Sequence, residues 1–134
     1  MGPKWQQLNL YKIMKKKNQT KEYTIDAKGK KLGRLATEIS MLLQGKNDPS
    51  FDPSKLNDVK VKVENLKDVE VSGKKAEQKI YYRHAGRLGH LKEVVYSKMF
   101  EKKPEWVLKH AVRLMLPKNK LAKKRLQNLI IEDK

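Results

Sequence analysis

Three histidines, a Gly-Lys pair, three aspartates and two basic clusters are the residues here with the means to do chemistry. His84, His90 and His110 lack the spacing of a zinc site, and the chain has no cysteine to complete one. Gly45-Lys46 ends like a phosphate-binding loop, but Ser40 stands where that loop's first glycine belongs and Asn47 follows the lysine. Asp48, Asp52 and Asp58 sit in a proline-rich stretch, where short carboxylates serve turns and caps. No G-x-G-x-x-G occurs. The chain is therefore not expected to be an enzyme, and no cofactor, metal or small-molecule substrate is implied.

The basic residues point elsewhere. Thirty-two Lys and Arg against fifteen Asp and Glu leave a net charge of +17 on 134 residues. Self-repulsion of that size opposes compaction until a polyanion neutralises it, and nucleic acid releases counterions when it does so. In Gly86-Arg87-Leu88-Gly89 the glycines let backbone N–H groups approach phosphate, while Arg83 and Arg87 can fork onto its oxygens. KH domains share the G-x-x-G spacing, but here Leu91-Lys-Glu-Val94 replaces their Ile-rich helical flank, so the spacing assigns no KH fold. Lys118, Lys120, Lys123, Lys124 and Arg125 put five cations into eight residues after Pro117, which suits a surface tracking phosphates. Arg34 lies on its helix opposite Leu35 and Ile39, where solvent exposure and binding are equally open readings. Of the adjacent Tyr81 and Tyr82, one must leave the core and can stack on a base, whereas Trp106 is expected to pack.

These groups need a scaffold, and the length suits one core. Residues 1–21 read as a basic extension without sustained period, with Met14 a plausible second start, and residues 22–134 as a single domain. No apolar run approaches a membrane span, and no secretory signal is expected. Residues 23–27 alternate as a strand. Leu32, Leu35, Ala36, Ile39, Leu42 and Leu43 form one helical stripe, with Gly45 as its stop. Val59, Val61 and Val63 alternate with Lys60, Lys62 and Glu64, a strand with one wet face, and Val69 and Val71 repeat this briefly. Residues 74–82 are predicted helical, 83–92 a flexible polar loop, and 97–102 a helical turn. Pro104 opens a helix with Val107, Leu108, Ala111, Val112 and Met115 inward, and Pro117 halts it. Leu129-Ile130-Ile131 closes as a strand. Such alternation predicts an α/β sandwich on a mostly parallel sheet.

The blocks Tyr23-Thr-Ile-Asp-Ala27, Leu32-Gly-Arg-Leu-Ala36, Leu43-Gln-Gly-Lys46, Val71-Ser-Gly-Lys74, Tyr82-Arg-His84 and Met115-Leu-Pro-Lys-Asn119 follow one another in a telling order. Together they resemble the bacterial-type family of large-subunit ribosomal protein L-thirteen, over nearly everything but the N-terminal extension. The resemblance implies a three-layer α/β/α sandwich on a small, mostly parallel four-stranded sheet. It implies a structural constituent of the large ribosomal subunit, cytoplasmic or in an organelle of bacterial descent. Such a protein binds and organises large-subunit ribosomal RNA during assembly. Its other partners are neighbouring large-subunit ribosomal proteins, with no membrane and no homo-oligomer.

Carried onto matching positions, the RNA-facing residues are Arg34, Lys74, Arg83, His84, Gly89, Lys92, Lys118 and Asn119. Gly86, Arg87, Lys120, Lys123, Lys124 and Arg125 rest on the basic clusters themselves. A free regulatory RNA-binding module outside the ribosome is the alternative. Two departures stand out: Leu114 and Ala122 each replace a glycine usual in the family. The family's C-terminal tail, often carrying His-Pro-His, is not found beyond Lys134, so its contacts are expected to be lost or supplied by another molecule.

Overall fold

Alternation decides which way the sheet faces. In β2 (Val59–Glu64) the three valines are buried, Lys60 is exposed, and Lys62 and Glu64 are half-buried. Strand β1 (Lys21–Asp26) runs parallel to it, from Lys21 opposite Val59 to Asp26 opposite Glu64. Strand β5 (Leu129–Glu132) lies parallel on the other side, with Val61 opposite Leu129. The last strand in sequence thus completes a sheet ordered β1-β2-β5. The computed structural model describes residues 20–132, so most of the expected extension, and Met14, lie outside the described residues.

One helical layer covers the valine face. α1 (Leu32–Gln44) buries Leu32, Leu35, Ala36, Ile39, Leu42 and Leu43, the stripe its spacing predicts. Its end is a Schellman turn: Gly45 donates to the Leu42 carbonyl and Lys46 to that of Met41. Gly45 is left-handed, with φ 74°, and a Cβ there would lie 2.0 Å from Asn57 Nδ2. Asn57 in turn donates to the Gln44 carbonyl at 2.8 Å. Only glycine fits. α4 (Pro104–Met115) starts on its proline and buries Val107, Leu108 and Val112 in the same cluster. Each such side chain contributes about 1.5–3 kcal/mol by leaving water. The sheet's second face is wet: Glu22, Thr24 and Lys60 are exposed, and Lys62 reaches Glu132 at 3.9 Å.

The α/β class and the mainly parallel sheet hold, but the strands divide between two sheets instead of one of four. Three are parallel, while β3 (Ile80–His84) and β4 (Leu91–Val95) pair only with each other, antiparallel. The helix expected over 74–82 shrinks to a single turn, α2 (Lys75–Gln78). The loop expected over 83–92 is mostly hairpin. Ile80, Tyr81 and Tyr82 favour strand, and left-handed Gly86 and Gly89 (φ 83° and 76°) reverse the chain. Around Val69 and Val71 the pairing among the described residues is a single bridge between Lys31 and Glu70. A left-handed Asn65 and the 3₁₀ turn Leu66–Asp68 end β2 before a longer strand can form. α3 (Tyr96–Lys102) follows β4, and α5 (Lys120–Gln127) precedes β5.

Candidate nucleic-acid interface

Among the described residues the hairpin joins the protein body at its base. The Lys79 carbonyl accepts from the Tyr96 N–H at 2.8 Å, closing the two strands. Tyr81 turns inward against α4, edge-on to Trp106 at 5.2 Å and to His110 at 5.6 Å. Trp106 stacks on His110 at 4.8 Å and remains partly exposed, so it packs at a rim. Tyr82 points the other way and is 61% exposed, as one of the two tyrosines had to be. From residue 82 to residue 93 every residue is exposed.

That stretch carries Arg83, His84, Arg87, His90 and Lys92. Arg83 stands directly opposite Lys92 in the antiparallel register. Like charges so placed repel, and neither forms an ion pair among the described residues. Both line a small cleft with His84 and Ala85. At the tip, the Gly86 N–H donates to His84 Nδ1 at 2.9 Å, and His90 N–H to the Arg87 carbonyl at 3.2 Å. His84 is thus oriented by the turn while Arg87 is left free of acid. The arrangement is a finger of net positive charge, with Glu93, opposite Tyr82, as its one acid.

The second basic region is built differently. Asn119 caps α5, its side-chain oxygen accepting from Leu121 and Ala122 N–H at 3.1 Å. Lys118, Lys120, Lys123 and Lys124 are exposed. Arg125 is not. It is 2% exposed, and its guanidinium donates to the carbonyls of Pro53 (3.4 Å) and Lys55 (3.3 Å). Expected at the surface, Arg125 ties α5 to the loop before β2 instead. Its spacing gave the signal: Ala122, Arg125 and Leu126 fall on one inward face of the helix. Asn119 is likewise engaged structurally through its oxygen.

Lys74 precedes α2, exposed, with its carbonyl taking the Glu77 and Gln78 N–H groups. Arg34 is exposed on the first turn of α1 and borders a groove that also brings in Lys31, Lys75 and Lys79, none of them among the residues expected to face RNA. Runs of lysine on one short turn were the available clue. The aspartates behave as turn residues: Asp52 accepts from Ser54 N–H and hydroxyl, and Asp48 pairs with Lys21. Burial, together with Arg113 and Lys79, holds the His110 imidazole below its ordinary 6.5. Burial, aided by Tyr81, pushes the Tyr96 hydroxyl up to about 12. No group of His, Asp or Glu placed to hold a metal, and no helix long and apolar enough to cross a membrane, occurs among the described residues.

Residues 20–131 match the profile of a family described as Ribosomal protein L13. Large ribosomal subunit protein uL13 of Chloroflexus aggregans (strain MD-66 / DSM 9485) is 51% identical over 109 residues, covering 81% of this chain and 76% of that one. The protein of the same name from Clostridioides difficile (strain 630) is 50% identical over 111 residues, covering 83% and 78%. That of Synechocystis sp. (strain ATCC 27184 / PCC 6803 / Kazusa) is 48% identical over 104 residues, covering 78% and 69%.

Proposed function

The chain belongs to the ribosomal protein L13 family, and from that premise we propose that it is a structural constituent of the large ribosomal subunit, organising large-subunit ribosomal RNA during assembly. One observation carries the RNA contact: a hairpin exposed from residue 82 to residue 93, with Arg83 set against Lys92. Neither forms an ion pair among the described residues, and Glu93 is the one acid there against three Lys and Arg. Folding holds like charges together there, and phosphate is the ligand that relieves them. Lys118, Lys120, Lys123 and Lys124 form a second contact on α5, with Arg34 and Lys74 at the side of the fold. These contacts go to phosphate and shape, so they position the RNA without reading a base code. Arg125 has no part in them. The folded unit begins at Lys21, the first residue of β1, the residues before it add a further basic stretch, and neighbouring large-subunit proteins complete its surroundings.

The test is the salt dependence of binding between the full chain and large-subunit RNA. Engagement of about six to ten phosphates should lower affinity by about 10³–10⁵ between about 50 and 200 mM salt. Affinity indifferent to salt overturns the proposal. The chain should also sediment with large subunits after a moderate salt wash; recovery only in the free fraction would favour a regulatory module working off the ribosome.

A further inference from the structure

A groove of about 560 Å³ runs between the first turn of α1, α2 and the end of α4, a volume typical of small-ligand sites. Its rim and floor are of opposite character. The rim holds Lys31, Arg34, Lys75 and Lys79, none with an acidic partner among the described residues; the nearby Glu38 is taken by Lys30 at 3.0 Å. Lys79 is kept at the rim over the Tyr81 ring, 5.3 Å from its centroid. The floor includes Leu114 and Met115, which are 64% and 42% exposed. The Thr37 hydroxyl, which donates to the Gly33 carbonyl at 3.0 Å, also lies 3.4 Å from the Met115 sulfur.

Each half is unfavourable by itself. Four cations repel one another, and two large apolar side chains in water forgo the gain of burial. A ligand that answers both must carry a flat apolar face and a negative charge a few ångströms away. A nucleotide has that construction, because leucine and thioether surfaces pack on a base while ammonium and guanidinium groups hold phosphate. Inorganic phosphate would satisfy the rim but leave the floor wet.

We infer that the groove receives an unstacked nucleotide of the bound RNA, its base on Leu114 and Met115 and its flanking phosphates on Lys31, Arg34, Lys75 and Lys79. This rests on the RNA-binding reading above and adds to it a base-sized contact away from the hairpin. A Leu114→Ser chain should bind large-subunit RNA about tenfold more weakly with the same salt slope, since a stacked base and not a phosphate is lost. Changing Lys75→Ala together with Lys79→Ala should instead flatten the slope, by about 0.7 for each single-strand phosphate released. Dimethyl sulfate should find a base shielded by the unmodified chain and reactive with Leu114→Ser. A Leu114→Ala chain, which keeps helix propensity, should repeat the result and so separate it from misfolding.

Unchanged affinity and base reactivity in both folded Leu114 variants would overturn the groove while leaving the salt-dependent complex intact. So would crosslinks, in assembled subunits, from the groove to a protein segment in place of RNA. Failure of the unmodified chain to bind RNA at all would instead bring down the broader proposal, and the groove with it.

Discussion

The β3–β4 hairpin and helix α5 have nearly the same chemistry in sequence and opposite fates in the fold. Each offers a cluster of cations around a short turn or cap. The hairpin turns all of its cations outward, and between Tyr81 and Val94 every residue in it is exposed. Helix α5 surrenders one, Arg125, to the interior, where it clasps two carbonyls of a distant loop. A basic run thus contains both binders and fasteners, and only the period of its apolar neighbours separates them.

The sharpest way to break this distinction is Arg125→Ala. Emptying so large a buried site and losing both clasps should cost about 2–4 kcal/mol of stability, read from urea denaturation. Lys124→Ala, its exposed neighbour, should stay within about 0.5 kcal/mol. RNA affinity should respond in reverse, falling for Lys124→Ala and holding for whatever fraction of Arg125→Ala remains folded. Equal stabilities for the two variants would erase the division.

The hairpin supplies the counter-case. Arg83→Ala combined with Lys92→Ala removes a repelling pair, so the protein should be as stable as before or slightly more so. RNA affinity should meanwhile drop about tenfold or more, since charged hydrogen bonds to phosphate are lost at about 1.5–3 kcal/mol each. A stability loss here would mean that the cations pack after all. Next in size, Asn119→Ala removes the cap of α5 and should cost about 1 kcal/mol in thermal or urea unfolding. That loss is structural, and the salt slope of RNA binding should barely move.

The smallest effect is a pH drift at the hairpin's base. His110 lies under Tyr81 and Trp106, and Arg113 and Lys79 add positive charge nearby. Its folded value is below 6.5, so above that pH both states hold it neutral and its contribution is complete. As pH falls below 6.5 the unfolded chain takes the proton first, and stability declines until the folded value is passed. Melting temperature followed from about pH 7 to about pH 5 should show this decline, and His110→Gln should flatten it.

The sequence was most legible where burial was one-sided. Val59, Val61 and Val63 against their charged neighbours, the leucine stripe of α1, and the stops at Gly45 and Pro117 each tie a local pattern to a core position. The hairpin is hard to read in sequence because its residues 82–93 bury nothing, so no two-residue period survives to announce them. Residues 74–82 look helical in isolation only because their lysines and Ala76 favour helix, and a single turn is what forms. In the candidate site, Arg83, Arg87 and Lys92 could be anticipated from charge and glycine alone. Arg125 was hidden by the cations around it, and the groove by the fact that Lys31, Lys75 and Met115 meet only through the fold.

The strand order has a bearing on how this chain comes into being. β2 sits in the middle, yet one of its two neighbours is not synthesised until residues 129–132. During vectorial synthesis its far edge, with Val61 and Val63 beside it, remains unpaired and prone to join a stranger's strand. A nascent chain stalled before residue 129 should therefore be protease-sensitive and adhesive, and become sound only when its final strand slides home.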